Sequence, residues 1–148
     1  MVAATPTVRP SHLGLCVSDL DASLRFSCDG LGFIPAGTFE LSSSELEGLD
    51  GSLEVDGPAA LTSQFITLGD LKIELLAFRD PPPHGQPSTA RNQRGLTHLS
   101  FLVDDVDAAS QRLTRFGGTI VDGTRSKPGI DIVFLADPDA VRVELMAG

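Results

Sequence analysis

The chain contains one stretch of sequence twice. His12-Leu-Gly-Leu-Cys-Val-Ser-Asp-Leu-Asp-Ala22 aligns without a gap with His98-Leu-Ser-Phe-Leu-Val-Asp-Asp-Val-Asp-Ala108, matching a histidine, a leucine, a valine, two aspartates and an alanine. Downstream of each copy, Lys72-Ile-Glu-Leu-Leu76 corresponds to Arg142-Val-Glu-Leu-Met146. Such self-similarity marks a duplicated structural unit. Each half is therefore expected to begin with a histidine-bearing strand and end with a glutamate-bearing strand.

Apolar periodicity predicts the elements of the first half. Alternation over residues 11–17 predicts a strand with His12 on its less apolar face. Ser18 or Asp19 is expected to cap a short helix that ends at Gly30 and Gly32. Further strands are predicted at 33–40, 61–68 and 71–77, with a loop and one helical turn at 41–58.

The dipeptide Gly69-Asp70 predicts a two-residue hairpin between the last two strands of the first half. That register would pair Phe65 with Glu74 and Thr67 with Lys72. The second half repeats the pattern, with a strand at 96–103, a helix at 105–116 and strands at 119–121, 130–136 and 141–146. These elements predict a single α+β domain over 1–148, made of two tandem βαβββ modules at about 11–78 and 95–146 with a proline-rich linker at 79–94.

Composition excludes several classes of partner. The net charge is −9 and the chain has neither tryptophan nor tyrosine, which argues against nucleic acid and anionic membranes. No apolar run approaches the ~20 residues of a membrane span, and the start lacks a signal-peptide pattern. We therefore expect a cytoplasmic protein in which Cys16 and Cys28 are free thiols.

Four polar residues are expected to point away from the helix-covered core. By the period of two, these are His12, Glu74, His98 and Glu144. If the two sheets curve toward one another, two imidazoles and two carboxylates converge on one concave surface. Such a set suits one divalent metal ion, with Ni, Co, Zn, Mn and Fe all compatible, and leaves two octahedral positions open for water or substrate.

The repeated motifs, together with Leu31-Gly-Phe33 and Phe134-Leu-Ala-Asp-Pro-Asp-Ala-Val-Arg-Val-Glu-Leu145, resemble the vicinal oxygen chelate superfamily. That superfamily includes glyoxalase I, methylmalonyl-CoA epimerase, extradiol dioxygenases and bleomycin-resistance proteins, and the resemblance covers residues 11–146. It implies a curved mixed sheet around a metal site, with His12, Glu74, His98 and Glu144 as ligands, and a homodimer by analogy.

Retention of four ligands favours the glyoxalase I and epimerase branch of the superfamily. The resemblance then implies a lyase or isomerase, lactoylglutathione lyase-like, that removes a proton next to a carbonyl through a metal-bound enediolate. Glu144 or Glu74 is the candidate base. Two alternatives stay open, namely a bleomycin-resistance-type protein that binds an antibiotic or other small molecule, and an extradiol-type dioxygenase.

The substrate is expected to be a small molecule, and four residues are candidates to contact it: Ser63, Phe65, Arg94 and Lys127. Some epimerases carry a second catalytic glutamate near the place of Ser63, and this chain has no carboxylate there. Cations in the linker and in the loop that follows Thr124 could bind a carboxylate or phosphate group. These are Arg79, Arg91, Arg94, Arg125 and Lys127, with ordinary surface charge as the alternative for each.

Overall fold

In a computed structural model that describes residues 4–148, the chain forms two four-stranded mixed sheets of the same strand order. The first sheet is ordered β1-β4-β3-β2 and the second β5-β8-β7-β6. The elements of the first half are β1 Leu13–Cys16, α1 Leu20–Leu24, a π-helical turn Arg25–Gly30, β2 Ile34–Ser42, α2 Leu49–Ser52, β3 Ala60–Leu68 and β4 Leu71–Asp80. Those of the second half are β5 Leu99–Val103, α3 Val106–Arg115, β6 Thr119–Ile120, β7 Ile132–Ala136 and β8 Arg142–Ala147.

The expected α+β fold of two βαβββ units is confirmed, although the strands form two sheets and not one continuous sheet. In each unit the first strand pairs in parallel with the last, β1 with β4 and β5 with β8. The predicted hairpin register is also confirmed, because Phe65 lies opposite Glu74 and Thr67 opposite Lys72. In the second half Phe134 lies opposite Glu144, so the two hairpins have equivalent registers.

Helices α1 and α3 begin in the same way. Asp19 and Asp105 both have extended backbone, and their side chains accept hydrogen bonds from the backbone N–H of Ala22 and Ala108. Aspartate at this position satisfies one of the unpaired N–H groups of the first turn. Of the two expected caps, Asp19 is therefore the one used, and the hydroxyl of Ser18 instead donates to Asp139.

Of the strands that extend beyond their predicted ends, β4 does so by the most residues. β4 continues to Asp80, two residues into the segment whose prolines predict a linker, because Asp80 pairs with Ala60 across the sheet. Both cysteines are free thiols, as expected. Among residues 4–148, no helix is long and apolar enough to cross a membrane.

The hydrophobic cores of the two halves contact each other. Phe26, from the turn that follows α1, is only 2% exposed and lies in the second-half core with Val133 and Leu135. In return, Leu99 and Phe101 of β5 pack against the core of the first half. Because successive strand residues point to opposite faces, the residues between these core positions face away from the shared core.

Candidate metal centre

His12 and Glu74 form the first of two equivalent pairs. His12 immediately precedes β1, and Glu74 lies on the neighbouring strand β4. Nε2 of His12 is 3.0 Å from Oε2 of Glu74, while its Nδ1 is 2.8 Å from the hydroxyl oxygen of Ser11. The ring of Phe65 packs edge-on against the imidazole, with 5.2 Å between ring centroids. The imidazole is thus held on three sides with Nε2 directed at the carboxylate.

His98 and Glu144 form the second pair in the same way. Nε2 of His98 is 2.7 Å from Oε2 of Glu144, and its Nδ1 is 2.9 Å from the hydroxyl oxygen of Thr97. Phe134 packs edge-on against the imidazole, again with 5.2 Å between centroids. Sequence reasoning missed the roles of Phe134, Ser11 and Thr97. The signal was available, since a hydroxyl residue precedes each histidine and a phenylalanine lies opposite each glutamate.

The two pairs do not meet within one chain. Among residues 4–148, no group of three or more His, Cys, Asp or Glu side chains is positioned to hold a metal ion. All four side chains were expected to converge if the two sheets curve toward one another, and residues 4–148 of one copy do not group them into one site. In one copy of the chain, Nε2 of each histidine is instead directed at the glutamate of its own half.

The donor atoms of each pair have a spacing that a metal ion accepts. Two ligands bound at right angles with bonds of about 2.0–2.2 Å lie about 2.8–3.1 Å apart. The observed N–O separations of 3.0 Å and 2.7 Å are close to that range. The hydroxyl partner on each Nδ1 leaves Nε2 as the donor that faces the carboxylate. Each pair thus fits half of a four-ligand site for a divalent ion.

The surroundings of the two glutamates differ. Ser63 is buried, at 1% exposure, and its hydroxyl donates to Oε1 of Glu74. Ser63 thus lies near the first pair, as expected, and its hydroxyl group is hydrogen-bonded to Glu74. By hairpin register, the corresponding position in the second half is Ile132, which has no hydroxyl to donate. Glu74 is therefore fixed by one more hydrogen bond than its counterpart.

The remaining substrate candidates lie in different places. Phe65 contacts His12, as described, and carries Nζ of Lys72 at 4.5 Å from its ring centroid. Arg94 lines a pocket of about 250 Å³ with Thr97 and Arg142, beside the second pair. Lys127 is exposed, with Nζ 3.9 Å from a carboxylate oxygen of Asp131. The structure thus puts Phe65 and Arg94 beside the pairs and directs Lys127 toward Asp131.

Two other cations named by the sequence are engaged in ion pairs. Arg79 lies 2.9 Å from Glu40, and Arg125 lies 2.9 Å from Asp107 and 2.6 Å from Asp131. A second pocket of about 270 Å³ lies next to Phe134 and contains Arg91 and Arg142. Burial, followed by the nearby charge of Arg142, lowers the pKa of Arg91. Of the five cations, Arg91 and Arg94 are the ones that line pockets beside the second pair.

Comparison with known proteins agrees with a protein of paired βαβββ units. Residues 9–145 match the model of the Glyoxalase/Bleomycin resistance protein/Dioxygenase superfamily. The uncharacterized protein YaeR of Escherichia coli is 33% identical over 138 residues, which cover 90% of this chain and 92% of YaeR. The chain therefore belongs to the glyoxalase/bleomycin resistance/dioxygenase superfamily, the vicinal oxygen chelate proteins.

Solved structures share the fold at lower sequence identity. A glyoxalase family protein from Bacillus cereus superimposes with a TM-score of 0.79 at 21% identity, covering 100% of both chains. Glyoxalase I of Leishmania major superimposes with a TM-score of 0.67 at 19% identity, covering 95% of this chain and 87% of that one. At these identities the likeness establishes the architecture alone.

Proposed function

We propose that the protein is a divalent-metal-dependent lyase or isomerase of the glyoxalase I and epimerase type. One metal ion, Ni, Co, Zn, Mn or Fe, would be held by His12, Glu74, His98 and Glu144. The observation that carries this proposal is the duplicated pair, with N–O separations of 3.0 Å and 2.7 Å and a hydroxyl on each Nδ1. Two imidazoles and two carboxylates suit a divalent ion and balance its charge.

The complete centre would be shared by two copies of the chain. Each pair supplies two donors, and among residues 4–148 of one copy no third donor of the His, Cys, Asp or Glu type is grouped with either pair. The side chains of His12 and His98 are 34% and 28% exposed, so a second copy can reach both histidines. In a twofold dimer, the first pair of each copy would meet the second pair of the other, which gives two complete sites.

The chain's own residues divide the chemical work. When bound, the metal would polarise a carbonyl oxygen of the substrate and so favour loss of the neighbouring proton. Glu144 is the better candidate for the base that takes this proton, because Ser63 fixes Glu74 and Ile132 offers no such bond to Glu144. Burial does not distinguish Glu74 from Glu144 as the candidate base, since their side chains are 17% and 14% exposed.

The test combines metal content with proton exchange. The purified chain is expected to bind about one equivalent of a divalent metal, and His98→Ala should lose most of it. His84→Ala is the matched control, because His84 lies outside both pairs. With metal bound, solvent deuterium should enter the carbon next to the carbonyl of a 2-oxoaldehyde hemithioacetal or an acyl thioester. Metal far below one equivalent and unchanged in His98→Ala would contradict the proposal.

The second candidate is a protein that sequesters a small molecule in the pockets beside the second pair. The observation that favours it is the separation of the pairs within one chain, because a monomer would then lack a complete metal centre. Ligand affinity that is unchanged in His98→Ala and insensitive to chelators would support this alternative. Oxygen consumption with catechols and Fe(II) would instead indicate the dioxygenase.

A further inference from the structure

A pocket beside the second pair contains two neighbouring arginines. It has a volume of about 270 Å³ and is lined by Thr89, Arg91, Val121, Thr124, Phe134 and Arg142. The ring of Phe134 joins this pocket to the pair. Its edge contact with His98 spans 5.2 Å between centroids, and the guanidinium carbon of Arg91 lies 5.8 Å from the same centroid. Phe134 therefore lies between the pocket and the second pair and contacts both.

Neither arginine is neutralised within the part of the chain that the structure describes. The ion pairs of residues 4–148 engage Arg79, Arg125 and Lys127, but no carboxylate lies within 4.0 Å of Arg91 or Arg142. Nη2 of Arg91 donates to the carbonyl oxygen of Ser88, and Nη1 of Arg142 donates to that of Ala140. Nη1 of Arg91 is buried without a hydrogen-bond partner among the described residues.

This arrangement is unusual for so acidic a chain. The protein has 20 acidic residues and 11 lysines and arginines, yet it holds two guanidinium groups side by side without an acid. Their mutual repulsion contributes to lowering the pKa of Arg91. Guanidinium groups bind planar or tetrahedral oxyanions through paired N–H donors. An oxyanion between them would relieve the repulsion and satisfy the buried donor.

The pocket lies close to the proposed base, Glu144, along strand β8. Arg142 and Glu144 lie two residues apart on the same face of β8, which corresponds to about 7 Å along the strand. Phe134 and Val121 supply apolar contacts in the same pocket. A small molecule that spans both sites would therefore carry an oxyanion separated by a short apolar body from its reacting carbonyl.

We propose that the pocket of Arg91 and Arg142 binds the carboxylate or phosphoryl group of the substrate whose reacting carbon lies at His98 and Glu144. The assignment of this anion to a substrate rests on the proposed function. The oxyanion site itself depends only on the two guanidinium groups and the pocket around them.

The test is an NMR titration of the full chain at constant ionic strength, followed through the arginine Nε–H signals. Benzoate and inorganic phosphate are the two probes, and sodium chloride is the control for general ionic effects. At least one probe should give saturable shifts of Arg91 and Arg142. Saturation by benzoate alone identifies a carboxylate site, and saturation by phosphate alone identifies a phosphoryl site.

Matched variants make the titration specific. Arg91→Gln and Arg142→Gln should each weaken probe binding by about tenfold or more, since each removes a charged donor. Arg79→Gln removes the same charge at an exposed ion pair and should leave binding unchanged. Arg142→Lys, which keeps the charge but loses the paired donors, should weaken binding less than Arg142→Gln. Failure of both probes to saturate, or equal behaviour of all three Gln variants, would overturn the inference.

Metal binding measured on the same samples separates this inference from the proposed function. Anion binding without metal binding would overturn the proposed function and support the oxyanion pocket. Metal binding without anion binding would overturn the pocket alone.

Discussion

The two halves of the molecule present the same histidine–glutamate pair in different surroundings. In the first half, Ser63 donates to Glu74 and the aromatic ring carries Lys72. In the second half, Ile132 takes the place of the serine and the ring borders a pocket with two arginines. Duplication thus explains the shared geometry, and later divergence explains the difference. On our proposal, the first half holds Glu74 in place as a metal ligand. The second half supplies the base, Glu144, and the arginine pocket that binds the substrate.

The largest effect should come from the glutamate of the second half. Glu144→Gln is expected to retain the fold and lower the rate of proton exchange by about 10²–10⁴-fold, because it removes the base. Glu74→Gln should act mainly on metal affinity, because Glu74 is the fixed ligand. Metal content and deuterium incorporation are measured on both variants. Equal loss of exchange at equal metal occupancy would show that the two halves do not differ in role.

The serine that distinguishes the halves should tune metal binding. Ser63→Ala is expected to weaken metal affinity by about 10-fold, since groups that orient a ligand typically contribute 10–100-fold. Metal competition with a chromophoric chelator measures this change. The reciprocal variant Ile132→Ser offers Glu144 a hydroxyl and should slow exchange while metal stays bound. Faster exchange in Ile132→Ser would contradict the assigned roles.

The turns that join the last two strands of each half also differ. Asp137 begins the second turn, where its carboxylate accepts hydrogen bonds from the N–H groups of Asp139 and Val141. Burial is the main cause that raises the pKa of Asp137 from 3.8 to about 6. The folded state then binds this proton more tightly than the unfolded state does. Its contribution to stability is present at low pH and is lost as the pH rises from about 4 to about 6.

Asp137→Asn should therefore abolish the loss of stability that ionisation of Asp137 causes. The amide oxygen of the new side chain can still accept the two hydrogen bonds. The free energy of unfolding at pH 7.5 is expected to increase by up to about 3 kcal/mol over the wild type, with little change at pH 4. Asp70→Asn, in the exposed first turn, should change stability by no more than about 0.5 kcal/mol. Urea denaturation at the two pH values measures both. A gain of similar size in both variants would exclude burial as the cause.

The duplication predicted much of the local geometry. It identified the two pairs and the equivalent strands, since the period of two and the hairpin dipeptide fix which residues share a face. It did not predict how the two sheets pack, because periodicity identifies an apolar face without identifying what covers it. Phe26 of the first half fills the core of the second half, a contact that local periodicity does not specify.

Two further features depend on contacts between residues that are distant in sequence, and the sequence did not predict them. Arg142 reads as the counterpart of Lys72, yet it shares its pocket with Arg91 because the segment after Pro87 folds back onto the second half. Ser63 is a candidate to contact substrate, and the hydrogen bond from its hydroxyl to Glu74 was not predicted. Both outcomes depend on which chain segments meet in space, and local sequence patterns do not specify that.

The central claim is that each half holds half of a metal centre completed by a second copy. It is tested most directly by mixing His12→Ala and His98→Ala chains, refolding them together and measuring bound metal. In a mixed dimer one site lacks both histidines and the other keeps all four ligands, so random pairing should restore about one quarter of the wild-type sites. A mixture that binds no more metal than the separate variants would contradict the claim.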